Sequence, residues 1–92
     1  MNSSNKPYSE ESQDDFIIRE FKENLTQGDL IWHKDREDRL ISPINKTDWM
    51  IQIDNELPKV IKENTFIPKE VFHRLLKGTG NLELKIVKNP QI

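Results

Sequence analysis

The stretch "TFIPKEVFHRLLKGTGNLELKIVK", Thr65–Lys88, decides the fold. Thr65–Pro68 reads as a short strand ended by proline, which has no N–H to continue a ladder. Val71–Leu76 alternates Val71, His73 and Leu75 against Phe72, Arg74 and Leu76. Leu82–Val87 alternates more cleanly still, with Leu82, Leu84 and Ile86 on one side and Glu83 and Lys85 on the other. Such a period of two belongs to a half-buried strand. Between these two runs lies Lys77–Asn81, "KGTGN", which holds two of the three glycines and reads as a hairpin-type turn.

Upstream the same pattern repeats. Trp49–Asp54 alternates Trp49, Ile51 and Ile53 against Met50, Gln52 and Asp54. Leu40–Ile44 is a short strand, with Pro43 marking an edge or a bulge. Leu30–Asp35 is read as a strand carrying Ile31, His33 and Asp35 on one face, and Gln27-Gly28-Asp29 before it as a turn. Phe16–Phe21 is either a strand or the start of a short helix reaching Asn24. Six or seven short strands with little helical signal predict an all-β antiparallel barrel or sandwich. Residues 1–15 are polar apart from Tyr8 and are expected to form a disordered tail, leaving 16–92 as a single domain.

Composition narrows the function. The chain has 92 residues, of which 34% are hydrophobic and 33% charged. A domain this small buries only about 60–65% of its unfolded surface, so a ligand or a second copy adds useful stability. With a net charge of −2 there is no basic field to neutralise phosphates, so neither nucleic acid nor a membrane surface is an expected partner. The absence of cysteine excludes disulfides and thiolate metal sites. No apolar run is long enough to span a bilayer, and no signal-peptide pattern opens the chain, so the expectation is a soluble, cytoplasmic protein.

The chemistry-bearing residues are few. His33 and His73 are the two histidines, and Asp35 shares a strand face with His33, about 6.5–7 Å away at the root by strand rise. Two imidazoles and one carboxylate form the facial triad of non-haem iron sites, and the same donors hold zinc or manganese. The His-x-Asp spacing also arises by chance, and a histidine hydrogen-bonded to a carboxylate or a carbonyl is the simpler reading. Arg39 offers a bidentate grip on a carboxylate, or else pairs with Glu37 or Asp38. Gln52 is a pocket residue if the Met50/Gln52/Asp54 face lines the interior, and alternation alone does not say which face does. The "KDREDR" run reads as a solvated turn, and Trp32 and Trp49 as packing or dimer-interface residues.

"ENTFIPKEVFH", Glu63–His73, resembles the second conserved motif of the cupin superfamily. Asn64 holds the Asp/Asn position, Ile67-Pro68 closes the strand, and His73 falls five residues after Pro68. "GDLIWHKDREDRLISPINK" resembles the first motif in degenerate form. Gly28 lies five before His33, Asp35 replaces the second histidine, and Arg39 stands where a glutamate ligand falls. Glycines are missing at Glu63 and Glu70. The chain is also similar to a group of small, uncharacterised single-domain proteins of phage and marine bacterial type. They share "WH-x-D-x-EDR…W-x-x-Q-x-D…LP…IP…HR-x-x-KG-x-G-x-L".

The resemblance implies a small antiparallel cupin-type β-barrel, jelly-roll-like, over about Gly28–Ile86. It implies a divalent metal on His33, Asp35 and His73, with Fe(II) the first choice and Zn or Mn as further candidates. It also implies an Fe(II)-dependent oxygenase-type activity on a small molecule. Apart from the resemblance, exposed apolar faces on a thin barrel favour a homodimer. The lost glutamate ligand keeps a second expectation open: a metal-free, non-catalytic module that binds a small molecule or a protein.

Overall fold

The computed structural model describes residues 6–91, and everything structural below refers to these. Their strands are β1 (Ser9–Ser12), β2 (Ile17–Phe21), β3 (Arg39–Pro43), β4 (Met50–Ile53), β5 (Lys59–Val60), β6 (Thr65–Ile67), β7 (His73–Leu76) and β8 (Leu82–Lys88), with one 3-10 turn at Gln27–Asp29. They form a five-stranded sheet in the order β1-β2-β8-β3-β6 and a three-stranded sheet in the order β5-β4-β7. Every pairing is antiparallel. The chain is all-β and jelly-roll-like. Its wall consists of two facing sheets and not one continuous ladder.

Alternation sorts the strands as the sequence predicts. Leu82, Leu84 and Ile86 of β8 are buried, and so are Ile51 and Ile53 of β4 and His73 and Leu75 of β7. These inner faces meet in one core with Phe21, Ile41, Ile61 and Ile67. Trp49 is fully buried at 0% exposure, with its indole N–H donated to the Gly80 carbonyl at 3.1 Å. The large ring therefore packs without leaving a polar atom unpaired. β2 resolves as a strand and not a helix, because Ile17, Arg19 and Phe21 register against Ile86, Leu84 and Leu82 of β8.

Three expectations change. The disordered tail over residues 1–15 gives way at Ser9–Ser12, which pairs with β2 as an edge strand; residues 1–5 lie outside the described residues. All four β1 residues are exposed, so backbone ladder bonds and individual side chains hold β1 and apolar burial does not. The predicted strand Leu30–Asp35 shrinks to one bridging residue, His33. A capping box at Thr26/Asp29 winds the preceding residues into the 3-10 turn, so the chain reaches the sheet only at His33. The "KDREDR" run is anchored as well as solvated: the Asp38 carboxylate accepts the Lys69 N–H at 2.8 Å, and its carbonyl accepts Asn89 N–H at 2.8 Å.

The 77–81 turn is stapled to the start of β4. Asp48 accepts the Thr79 N–H at 2.7 Å and the Thr79 hydroxyl at 2.8 Å. Gly78 is required by this closeness, since a Cβ there would lie 2.7 Å from the Trp49 backbone nitrogen. Gly78→Ala is expected to destabilise the fold by about 1–3 kcal/mol through overpacking against backbone, read as a lowered urea midpoint at unchanged slope.

Candidate metal centre

His73 opens β7 and points inward with Leu75. At the free edge of β7 its backbone exchanges two hydrogen bonds with His33: His33 N–H to His73 C=O at 2.9 Å and His73 N–H to His33 C=O at 2.8 Å. Residues paired directly opposite in an antiparallel ladder project to the same face. The two imidazoles therefore meet edge to face, with ring centroids 4.4 Å apart. Both rings are oriented alike. His73 Nδ1 lies 2.9 Å from the Val71 carbonyl and His33 Nδ1 lies 3.0 Å from the Ile31 carbonyl. A carbonyl only accepts, so each Nδ1 carries a proton, and in the neutral ring Nε2 is the atom left with a lone pair.

Asp35 completes the group. Its backbone carbonyl accepts the Glu70 N–H at 2.7 Å, with Glu70 in the left-handed region at φ 61. The motif that this stretch resembles has a glycine here; in this chain a glutamate is held in that conformation, and the bond it makes fixes Asp35. Asp35 Oδ2 lies 3.3 Å from His73 Nε2 and 3.4 Å from Arg39 Nη1. It is buried and accepts no hydrogen bond. One ligand atom from each of His33, Asp35 and His73 lies within 4.8 Å of the others. Neighbouring donors on a single ion with bonds of 2.0–2.2 Å sit about 3 Å apart, close to the His73–Asp35 spacing. His33 is exposed, so the centre is open on one side.

Burial drives the His73 pKa below its ordinary value. The His33 ring reinforces the shift, while the Val71 carbonyl and the Asp35 carboxylate oppose it. His73 is thus neutral at physiological pH, the form in which imidazole binds a metal.

The centre sits at a chamber of about 360 Å³ between the sheets. Arg39 lines it, donating Nε to Glu37 at 2.7 Å while Nη1 faces Asp35. Gln52 does not line it, so its reading as a pocket residue is corrected. The apolar face of β4 is the inner one, and Gln52 sits on the outer face. There its amide oxygen accepts from Arg74 Nε at 3.1 Å and Nη2 at 3.0 Å. Arg74 in turn lies over the half-exposed ring of Trp32, 4.8 Å from its centroid.

The sequence reading missed Arg19. It is 9% exposed, lines the chamber, and donates Nε and Nη2 to Glu10, its cross-strand partner on β1. The signal was present as Ile17-x-Arg19-x-Phe21, which puts an arginine on an apolar strand face. Burial opposes ionisation of Glu10, but the Arg19 hydrogen bond and charge outweigh it and hold the carboxyl below its usual range.

No protein-family model and no curated protein sequence matches the chain. Solved structures do. Protein NMB1881 from Neisseria meningitidis is 16% identical, with 90% of this chain and 82% of that one covered and a TM-score of 0.59. A structure from work on the DMSP lyases RdDddP and RnDddQII is 13% identical, covering 82% of this chain and 37% of that one at a TM-score of 0.68. Hydroxypropylphosphonic acid epoxidase from S. wedmorenis is 17% identical, covering 79% and 41% at a TM-score of 0.59. The chain thus spans most of the first and well under half of the other two. These matches show the fold: this is a small cupin-like domain. No helix among the described residues is long and apolar enough to cross a membrane.

A buried neutral His73 makes stability pH-dependent in a definite sense. Its folded pKa lies below the 6.5 of the unfolded chain, so the unfolded state binds the extra proton first. The metal-free protein is expected to keep this stability above about pH 6.5 and to lose it as pH falls toward the folded pKa. Urea midpoints at pH 7.5 and 5.0 test this, and His73→Phe is expected to lessen the difference.

Proposed function

We propose that the domain binds a divalent metal through His33 Nε2, His73 Nε2 and an Asp35 oxygen, and that the chamber beside the metal receives a small molecule. The observation that carries this reading is Asp35 Oδ2. It is a buried carboxylate oxygen without a hydrogen bond, and it faces an imidazole nitrogen that has only a lone pair to offer. The Arg39 guanidinium at 3.4 Å answers part of its charge without a hydrogen bond, and a buried carboxylate oxygen that accepts none costs about 1–3 kcal/mol. A cation at this point is shared by all three donors. The outward hydrogen bonds of both histidines to carbonyls are the supports that metal-bound imidazoles use.

Two imidazoles and one carboxylate suit Fe(II), and Zn or Mn use the same set. Among the structural neighbours, the hydroxypropylphosphonic acid epoxidase has been solved as its Fe(II) form with substrate. With iron bound, the domain gains redox chemistry and open coordination positions for a small molecule, and we read the activity as oxygenase-type. The chain's own part is to hold the donors, to keep His73 neutral, and to surround the ligand with an apolar wall. Arg39 positions Asp35 through its charge, and the same charge helps to keep His73 neutral.

Arg39 also favours a second reading. A guanidinium 3.4 Å from Asp35 Oδ2 already supplies positive charge where the fold otherwise places a glutamate ligand. On that reading the domain is a metal-free binding module.

Elemental analysis of protein purified without chelator or tag separates the two. Near-stoichiometric metal is expected, with anaerobic Fe(II) titration of the stripped protein giving one site. His73→Ala is expected to weaken that site by more than ~100-fold, since loss of mere supporting groups already costs 10–100-fold. Equal weak binding by wild type and variant would leave the metal-free module as the function.

A further inference from the structure

We infer that Arg19 is the anion-binding subsite of the chamber and that its ligand is a small organic acid with an apolar body. This deepens the reading above, because it takes the same chamber as the place of the ligand. Arg19 stands on an inner strand face between Ile17 and Phe21, an expensive position for a cation unless it meets an anion. Glu10 is the anion that it now meets, and Glu10 arrives on the exposed edge strand β1. Only Nε and Nη2 are engaged, both by a single carboxylate oxygen. The guanidinium therefore retains donors that no described residue uses, and a planar fork suits a second carboxylate. The Tyr8 ring stacks on the group, with the guanidinium carbon 3.9 Å from the ring centroid.

The register places this subsite relative to the metal centre. Arg19 pairs with Leu84 on β8, whereas Arg39 on β3 pairs with Lys88. The row Ile17–Ile86–Ile41 lies between them. Inner rows of a strand repeat about every 6.8 Å, so the two arginines flank an apolar floor at opposite ends of the chamber. A short acid fits this layout, with its carboxylate on Arg19, its chain along Leu84, Ile86 and Ile41, and its far end toward His33, Asp35 and His73. Glu10 competes with such a ligand for the guanidinium. A purely structural Arg19–Glu10 clasp predicts the reverse, since loss of Glu10 then loosens the chamber wall and weakens every ligand.

The test is calorimetric binding of hexanoate and 1-hexanol to the full chain after metal removal, so that no bound metal draws the carboxylate. The wild type is expected to bind hexanoate at least tenfold more tightly than hexanol. Arg19→Gln is expected to abolish that preference and leave hexanol binding in place, while Arg19→Lys retains part of it. Glu10→Gln is expected to strengthen hexanoate binding at least threefold without affecting hexanol. Equal binding of acid and alcohol by the wild type overturns the inference, as does a preference that survives Arg19→Gln, or hexanoate binding weakened by Glu10→Gln. If Arg19→Gln does not fold, Arg19→Lys and Glu10→Gln decide by the same signs. Metal uptake is titrated separately in each protein. A wild type that takes up no metal but prefers hexanoate overturns the metal reading and upholds this one.

Discussion

The reciprocal backbone pair between His33 and His73 is the contact on which the centre depends. Those two hydrogen bonds dock an otherwise irregular segment onto the edge of β7. They put two imidazoles on one face by the geometry of an antiparallel pair, without any side-chain contact having to arrange it. Each ring is then turned by a carbonyl two residues back in its own chain. Asp35 follows because it is two residues past His33 and because Glu70 holds its carbonyl. One docking event therefore delivers all three donors, and the 3-10 turn at Gln27–Asp29 sets the approach angle.

Charge is distributed unevenly across the interior. The candidate metal centre gathers acceptors: two imidazole Nε2 atoms and a buried carboxylate oxygen, with the Arg39 guanidinium beside them. The far end gathers a donor, Arg19, partly answered by Glu10. An apolar floor from β8 and β3 lies between them. The chamber therefore favours positive charge at one end and negative charge at the other. The low dielectric of the wall strengthens both preferences.

Much of the fold was legible in the chain. The period-two runs at Trp49–Asp54, Val71–Leu76 and Leu82–Val87 became β4, β7 and β8, each with one of its two alternating faces buried. Pro68 ended β6 as read, and the two glycines of the 77–81 segment made the turn. β1 was invisible because its residues are all exposed and leave no hydrophobic pattern. Leu30–Asp35 misled because its apolar residues look like a strand, whereas Ile31 and Trp32 are 68% and 40% exposed. Arg19 was passed over because the helix-or-strand ambiguity of Phe16–Phe21 hid the face to which it belongs.

The sequence alone determined an all-β domain, because strand periodicity and turn residues are local properties written at each position. It also offered the candidate donors, since His33 and His73 are the two histidines and Asp35 is the carboxylate beside one of them, and the fold brings the three within 4.8 Å of one another. Only the tertiary structure decided which faces look inward at the centre. It assigned Gln52 to the outer face and Arg39 to the chamber, and it converted a polar tail residue, Glu10, into the partner of a buried arginine. These outcomes depend on register between strands far apart in the chain. A shift of one residue in register sends every side chain to the opposite face, and no local pattern records which partner a strand will meet.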